Sequence, residues 1–116
     1  MPVSELSVRT ARLDDETQLI ALAGELDLYS VDGFRAALDE ALAATPQRLV
    51  VDATEVSFID SVALGVLVNA LKRLRVAGGA LGLVATNPNV VRVFEITGLD
   101  RMLAIGDSLP RVVERL

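Results

Sequence analysis

Apolar residues in this chain follow two patterns that alternate along its length. Continuous apolar runs, such as positions 19–23 and 49–51, are typical of strands covered on both faces. Apolar residues three and four positions apart, such as Phe34, Leu38 and Ala41, are typical of amphipathic helices. The pattern predicts strands over residues 6–13, 17–28, 48–53, 80–85 and 102–105, and helices over residues 31–44, 61–78, 88–97 and 109–116.

The order of these elements predicts the fold. The first two strands are expected to form a hairpin through the acidic turn 14–16, and strands then alternate with helices. Such alternation is typical of parallel strands joined by right-handed crossovers. We therefore expect an α/β (mixed α+β) fold, with a mixed sheet of about five strands and four helices mainly on one side. At 116 residues the chain is expected to form one domain, residues 1–116.

The composition excludes several classes of site. The chain has no cysteine and no histidine, which excludes disulfides, zinc–thiolate centres, histidine ligands and histidine-based triads. The formal net charge is −5 and basic residues form no run, so we expect no direct nucleic-acid partner. The most apolar stretch, residues 62–71, is too short and too polar to insert in a membrane, and the first residues do not resemble a signal peptide. We expect a cytoplasmic protein without a cofactor or a metal ion.

The junction at Asp60 and Ser61, between a strand and the long central helix, is the best candidate for a functional site. A side-chain oxygen there can cap the first helical turn, where free N–H donors and a partial positive charge occur. Ser30 is expected to cap the preceding helix in the same way, with Asp32 in its first turn. Gly24 interrupts the second strand and is expected to mark a bulge or a close approach of backbone.

The central helix is predicted to have two apolar faces. One is expected to pack on the sheet and carries Leu64, Leu67, Val68, Leu71 and Leu74. The opposite face carries Val62, Val66, Asn69 and Arg73, with Gly65 beside them. A helical glycine costs about 1 kcal/mol relative to alanine, and solvated helix faces usually carry charges. This face is therefore predicted to dock another protein, although scattered surface valines are common and Gly65 could simply allow close packing.

Three aspartates are candidates for a cation site. Asp27, Asp52 and Asp60 are each expected at the end of a strand or the start of a helix, and three converging carboxylates can bind a divalent cation. Capping of loops and helices explains the same residues without a further assumption. The sequence has no phosphate-cradling glycine motif, nucleophile or oxyanion donor that we can identify, so we do not expect an enzyme.

Ser61 is a candidate for phosphorylation. A phosphate at a helix amino end is compatible with the helix dipole, whereas its charge would repel an acidic or apolar partner. The alternative is that Ser61 is an ordinary first-turn residue.

Four short motifs together resemble the bacterial anti-sigma-factor antagonists built on the STAS domain. They are Gly24-Glu25-Leu26-Asp27, Leu49-Val50-Val51-Asp52, Val56-Ser57-Phe58-Ile59-Asp60-Ser61 with Leu64-Gly65, and Val93-Phe94-Glu95-Ile96-Thr97-Gly98-Leu99-Asp100. The resemblance covers essentially the whole chain and implies a mixed sheet with helices on one side. It also implies binding of a GHKL-fold anti-sigma factor, a serine kinase, which releases a sigma factor.

The resemblance also implies a switch that this chain alters. The family pattern is Asp-Ser-Ser/Thr-Gly-Leu-Gly, in which the kinase phosphorylates the second hydroxyl residue. Here that position holds Val62, and Ala63 replaces the glycine after it. Three interpretations remain: binding without a switch, which we favour; transfer of the switch to Ser61; or a role as a STAS-type interaction subunit of a lipid transporter or a stress-signalling complex. The predicted partner-binding residues are Asp27, Ser30, Asp60, Ser61, Val62, Gly65, Val66 and Asn69.

Overall fold

The computed structural model describes residues 6–116, and the first five residues of the predicted domain lie outside this part. The strands are β1 (Ser7–Asp14), β2 (Thr17–Leu26), β3 (Arg48–Ile59), β4 (Ala80–Val84) and β5 (Ala104–Gly106). The helices are α1 (Val31–Ala43), α2 (Ser61–Val76), α3 (Pro88–Thr97) and α4 (Leu109–Arg115), with a short 3₁₀ turn at Leu99–Arg101.

The five strands form one mixed sheet in the order β1-β2-β3-β4-β5. β1 pairs with β2 antiparallel, and the pairs β2–β3, β3–β4 and β4–β5 are parallel. Each parallel pair is joined by a helical crossover, as the alternation of patterns predicts. The predicted fold class is therefore confirmed.

The β1–β2 hairpin turns through the acidic segment 14–16. Asp14 Oδ1 accepts a hydrogen bond from the Glu16 backbone N–H at 2.8 Å, which lowers the pKa of this carboxyl. Gly24 in β2 has φ 117°, and the register between β2 and β3 shifts on both sides of Ala23–Gly24. The predicted bulge at Gly24 is confirmed.

The sheet carries a separate apolar core on each face. The larger core joins α1, α2 and α3 to one face and includes Phe34, Val51, Leu67 and Phe94. The smaller core lies on the other face, where Val112 of α4 packs with Val50 and Val84. Val50 and Val51 belong to different cores because consecutive strand residues point to opposite faces. Three of the four helices thus lie on one side.

β3 is longer than the sequence predicts. It was expected to end at Ala53 before a connection, but it continues to Ile59 by pairing with β2 alone, because β4 ends opposite Asp52. Val56 and Ile59 are buried there, whereas Glu55, Ser57 and Phe58 are exposed. The bulges in this ribbon disturb the alternation of apolar residues, which is why the segment looks like a loop.

The packed face of α2 also differs in part from the prediction. Leu67, Leu71 and Leu74 are buried as expected, but Ala63 and Ala70 complete the face, and Leu64 and Val68 are only half-buried. Val66, predicted on the outward face, is half-buried and packs against the larger core. The face is rotated because α1 also packs against α2, so α2 has two neighbours instead of one.

Candidate functional site

The carboxyl ends of β2 and β3 bring the predicted site residues together. Leu26, the last residue of β2, pairs with Ile59, the last residue of β3. The loop 27–30 that follows β2 therefore lies beside the start of α2. The Asp60 backbone N–H also donates to the Leu26 carbonyl at 3.1 Å, which fixes this contact.

Asp60 connects the two segments through its side chain. Its Oδ1 accepts a hydrogen bond from the Ala63 N–H at 2.9 Å, so Asp60 is the N-cap of α2. Its Oδ2 accepts from the Leu28 N–H at 2.8 Å, across 32 positions of sequence. One carboxylate therefore caps the helix and also holds the loop against it.

The loop 27–30 is fixed by its own side chains. Asp27 Oδ1 accepts from the N–H groups of Tyr29 at 2.9 Å and Ser30 at 3.0 Å. Ser30 Oγ donates to the Glu25 carbonyl at 2.7 Å and accepts from the Asp27 N–H at 3.0 Å. The prediction that Ser30 caps α1 through its side chain is wrong, because its hydroxyl turns back into the loop instead.

The cation site considered from the sequence does not form. Asp52 lies inside β3, seven residues before its end, and accepts from the Thr54 N–H at 3.0 Å. Asp27 and Asp60 are occupied by the loop and cap hydrogen bonds described above. Within residues 6–116, no three carboxylates are grouped so that they could hold a metal ion.

A groove between α1 and α2 gathers four of the predicted binding residues. Val62, Gly65, Val66 and Asn69 line this α1–α2 groove, which has a volume of about 360 Å³. The other lining residues are Arg35, Leu38, Asp39, Ala70 and Arg73. An ion pair of 2.7 Å between Arg73 and Asp39 links the two helices there. Val62, which lies at the amino end of the groove, follows Asp60 by two residues, and Asp60 holds the loop 27–30 against the helix.

Gly65 has no packing role within the described part of the chain. A Cβ atom built on Gly65 would have no other element within 4 Å, so close packing does not explain this glycine. Val62, one turn earlier, is 39% exposed. Both residues thus face the groove rather than the core.

Ser61 is exposed at the first position of α2. Its side chain makes no hydrogen bond with the other described residues, because the capping position is held by Asp60. The hydroxyl is therefore accessible, but it follows the cap and does not form it.

Three exposed apolar residues at this end were not singled out from the sequence. Leu28 is 57% exposed, Tyr29 83% and Phe58 49%. The chain has only four aromatic residues, of which Phe34 and Phe94 are fully buried, and the other two lie at this end of the sheet. The position of the single tyrosine in a polar loop was the available signal for Tyr29.

The comparisons with known proteins agree with one another. A family model for the STAS domain matches residues 9–111. The chain is 36% identical over 100 residues to the anti-sigma-B factor antagonist of Listeria monocytogenes, an alignment that covers 86% of this chain and 88% of that protein. It is 31% identical over 91 residues to the anti-sigma F factor antagonist of Paenibacillus polymyxa, with 78% of each chain covered.

The fold is similar to that of a solved relative. The crystal structure of an anti-sigma factor antagonist from Mycobacterium paratuberculosis superposes with a TM-score of 0.86 at 25% identity and covers 95% of this chain and 92% of that one. None of the helices within residues 6–116 has the length and apolar character to cross a membrane.

Proposed function

The chain belongs to the STAS domain family, and from that premise we propose that it is a cytoplasmic anti-sigma-factor antagonist. It binds an anti-sigma factor, a serine kinase of the GHKL fold, and so frees a sigma factor for transcription. Its relatives of similar length carry this role in their names, which supports the general function. The chain acts by binding and catalyses no reaction of its own.

The partner binds at what we call the amino-end surface: the loop 27–30 and the α1–α2 groove. The predicted residues Asp27, Ser30 and Asp60 act there as supports, because their side chains hold the loop on the helix. The contact itself is made by exposed side chains, including Leu28, Tyr29 and Val62. Such apolar and aromatic groups contribute most of the binding free energy of typical protein interfaces.

Gly65 is the observation that supports this surface best. Glycine destabilises a helix by about 1 kcal/mol relative to alanine. No neighbour within the described chain requires it, since the space above its Cα is open. A partner whose atoms approach the α2 backbone at this point would require it. The glycine is then retained for the complex and not for the fold.

The substitution Gly65→Ala tests this proposal. We expect the variant to be up to about 1 kcal/mol more stable in urea unfolding, since the helix gains propensity. We expect its affinity for the purified anti-sigma factor of the same cell to fall about tenfold, which corresponds to about 1.4 kcal/mol. Isothermal titration calorimetry measures the affinity.

Gly33→Ala is the matched control. Gly33 is an exposed helical glycine in α1, and its Cβ would meet only Val8 Cγ2 at an ordinary 3.7 Å. It lies outside the α1–α2 groove, so its substitution should leave the affinity unchanged. Undiminished binding by Gly65→Ala would contradict the proposed surface.

The switch of the family is absent at its usual position in this chain. Val62 cannot accept a phosphate, and its 39% exposed side chain adds apolar area to the amino-end surface instead. Ser61 is accessible but lies one residue earlier, about 100° around the helix axis. We therefore propose that the chain binds its partner without phosphorylation at either residue.

A further inference from the structure

A second cleft, of about 720 Å³, lies at the opposite end of α2. It is bounded by the last turns of α2, by α3, by the turn Leu99–Arg101, by β5 and by the end of α4. The α2 residues that line this basal cleft, Leu71 and Arg75, lie about 17 and 23 Å along the helix from the Asp60 cap, at 1.5 Å per residue. The basal cleft is therefore independent of the amino-end surface.

The cleft exists because β5 is short. β5 pairs only with Gly82–Val84 of β4, so the first two residues of β4, Ala80 and Leu81, have no strand beside them on that edge. The chain before β5 passes around the resulting gap through Met102 and Leu103. The gap is thus built into the sheet.

The floor of the basal cleft is apolar. Leu71, Leu81 and Leu103 lie beneath the cleft and are almost completely buried, with exposures of 1%, 2% and 7%. Met102, which is 42% exposed, lies at the same cleft. An apolar chain laid on these residues would be shielded from water.

Three arginines line the same cleft: Arg75, Arg101 and Arg115. Within residues 6–116, the side chains of Arg75 and Arg101 form no ion pair or hydrogen bond. Arg115 donates one hydrogen bond to the Ile105 carbonyl, which uses only one of its five N–H donors. Two carboxylates, Glu95 and Asp100, also line the cleft, but neither forms an ion pair with these arginines.

Helix dipoles explain these arginines only in part. Arg75 and Arg115 lie in the last turns of α2 and α4, where a cation is favourable. Arg101 lies in a turn of three residues, which is too short for an appreciable dipole. Five other arginines of the chain form ion pairs: Arg12, Arg35, Arg48, Arg73 and Arg111. Among residues 6–116, Arg9, Arg75, Arg92 and Arg101 form neither an ion pair nor a side-chain hydrogen bond, and two of these four, Arg75 and Arg101, line this one cleft.

We propose that the basal cleft binds an amphipathic anion, a carboxylate or phosphate head group on an apolar chain. Guanidinium groups bind both head groups by paired, charge-assisted hydrogen bonds, and the leucine floor receives the apolar chain. The volume of 720 Å³ lies within the range of about 300–1,000 Å³ that is typical of small-molecule sites.

The probes are decanoate and decyl phosphate, each added below its micelle concentration to the ¹⁵N-labelled full chain. We expect shifts of backbone NMR signals at Gly79, Leu103 and Ile105, which surround the cleft, and none at Ser61 or Gly65. Decanol, which lacks the charge, should bind at least about tenfold more weakly, because a charge-assisted hydrogen bond is lost. Comparison of the two anions shows which head group the arginines prefer.

Arg101→Gln should weaken binding of the better anion about tenfold. The matched control is Arg92→Gln, because Arg92 is an exposed arginine without an ion pair that does not line the cleft. The proposal is overturned if neither anion shifts the signals of the cleft, if decanol binds as tightly as the anions, or if Arg101→Gln and Arg92→Gln have the same effect.

Discussion

At the scale of single residues, Asp60 has the largest influence on the candidate site. Its two carboxylate oxygens accept from Ala63 and Leu28, which belong to different segments. The bond to Leu28 could not form unless the ends of β2 and β3 were adjacent. Because the two strand ends are adjacent, Asp60 can hold the loop 27–30 in a fixed position beside α2.

Asp60→Ala should destabilise the fold by about 1–2 kcal/mol, since the cap and the bond to the loop are both lost. Urea unfolding measures this difference. Asp60→Asn is the informative comparison, because asparagine is an equally good cap but has a single acceptor oxygen. The Asp60→Asn variant should retain the cap and lose the Leu28 bond. Its free energy of unfolding should therefore lie between those of the wild-type chain and Asp60→Ala. Equal stability of all three would mean that these bonds contribute nothing.

Because Val62 stands where the family pattern has a hydroxyl residue, we can predict how the chain responds to a kinase. The wild-type chain, incubated with its cognate anti-sigma kinase and ATP, should remain unphosphorylated because valine has no acceptor atom. Val62→Ser should gain one phosphate at residue 62 and then bind the partner more weakly, since the phosphate adds a charge of about −1.5 to −2 to the surface. Mass spectrometry maps the site. Phosphate on Ser61 of the wild-type chain would show that the switch has moved.

At the scale of elements, the packing of α4 depends on two glycines of the strands beneath it. A Cβ atom on Gly82 of β4 would overlap Val112 of α4, and one on Gly106 of β5 would lie 3.1 Å from the same valine. The two glycines let the short helix approach the sheet closely enough for Val112 to become fully buried. The position of α4 therefore depends on the absence of side chains at Gly82 and Gly106 as well as on the apolar residues of the helix.

Gly82→Ala should destabilise the fold by about 1–3 kcal/mol, because the added methyl displaces Val112 from the smaller core. Thermal unfolding measures the effect, and Gly33→Ala, whose methyl has ordinary contacts, serves as the control. Since α4 lies on the other face of the sheet from α2, binding at the amino-end surface should not change. A stabilised Gly82→Ala would show that α4 does not require this close approach.

At the scale of the whole molecule, the two ends of α2 have different chemical character. The amino end presents Val62 and the exposed loop residues Leu28 and Tyr29, whereas the carboxyl end presents Arg75 beside the basal cleft. The sheet between them is buried on the face that carries α2. The proposed partner and the proposed anion would therefore not compete for the same atoms.

Val62→Asp should separate binding from stability. The exposed valine contributes little to the core, and an acid in the first turn of a helix is favourable, so the melting temperature of the free variant should be nearly unchanged. When the anti-sigma factor is present at a free concentration 100 times the dissociation constant of its complex with the wild-type chain, it should stabilise that chain by about 2.7 kcal/mol. The same concentration should stabilise Val62→Asp much less. Thermal shift assays measure both quantities.

The control for this experiment is Val76→Asp, since Val76 is 91% exposed at the far end of α2. Val76→Asp should lower the stability of the free protein by at most about 1 kcal/mol, because an acid is unfavourable at the carboxyl end of a helix dipole. The anti-sigma factor should stabilise this variant as much as it stabilises the wild-type chain. A large loss of melting temperature in Val62→Asp would place Val62 in the core, and equal partner responses of both variants would contradict the binding surface.

The sequence predicted elements well where a pattern is local. The helices begin at Val31, Ser61, Pro88 and Leu109 as predicted, because the apolar period and, for α2, α3 and α4, a capping side chain lie within a few adjacent residues. The predicted end of β3 at Ala53 was wrong, because only the pairing of residues 54–59 with β2 shows that they form a strand. The predicted role of Ser30 was wrong for a similar reason. Its hydroxyl can bond either the first turn of α1 or the preceding loop, and the packing of the loop directs it to the Glu25 carbonyl.

For the candidate site, the sequence alone determined the residue types: a capping aspartate, a valine where the family pattern implied by the resemblance has a hydroxyl, and a glycine in a helix. Tertiary structure decided that Val62, Gly65, Val66 and Asn69 share a groove with α1, that Asp60 reaches Leu28, and that Leu28, Tyr29 and Phe58 are exposed. Spacing along a helix fixes which residues share a face, but the neighbour that covers each face comes from distant parts of the chain.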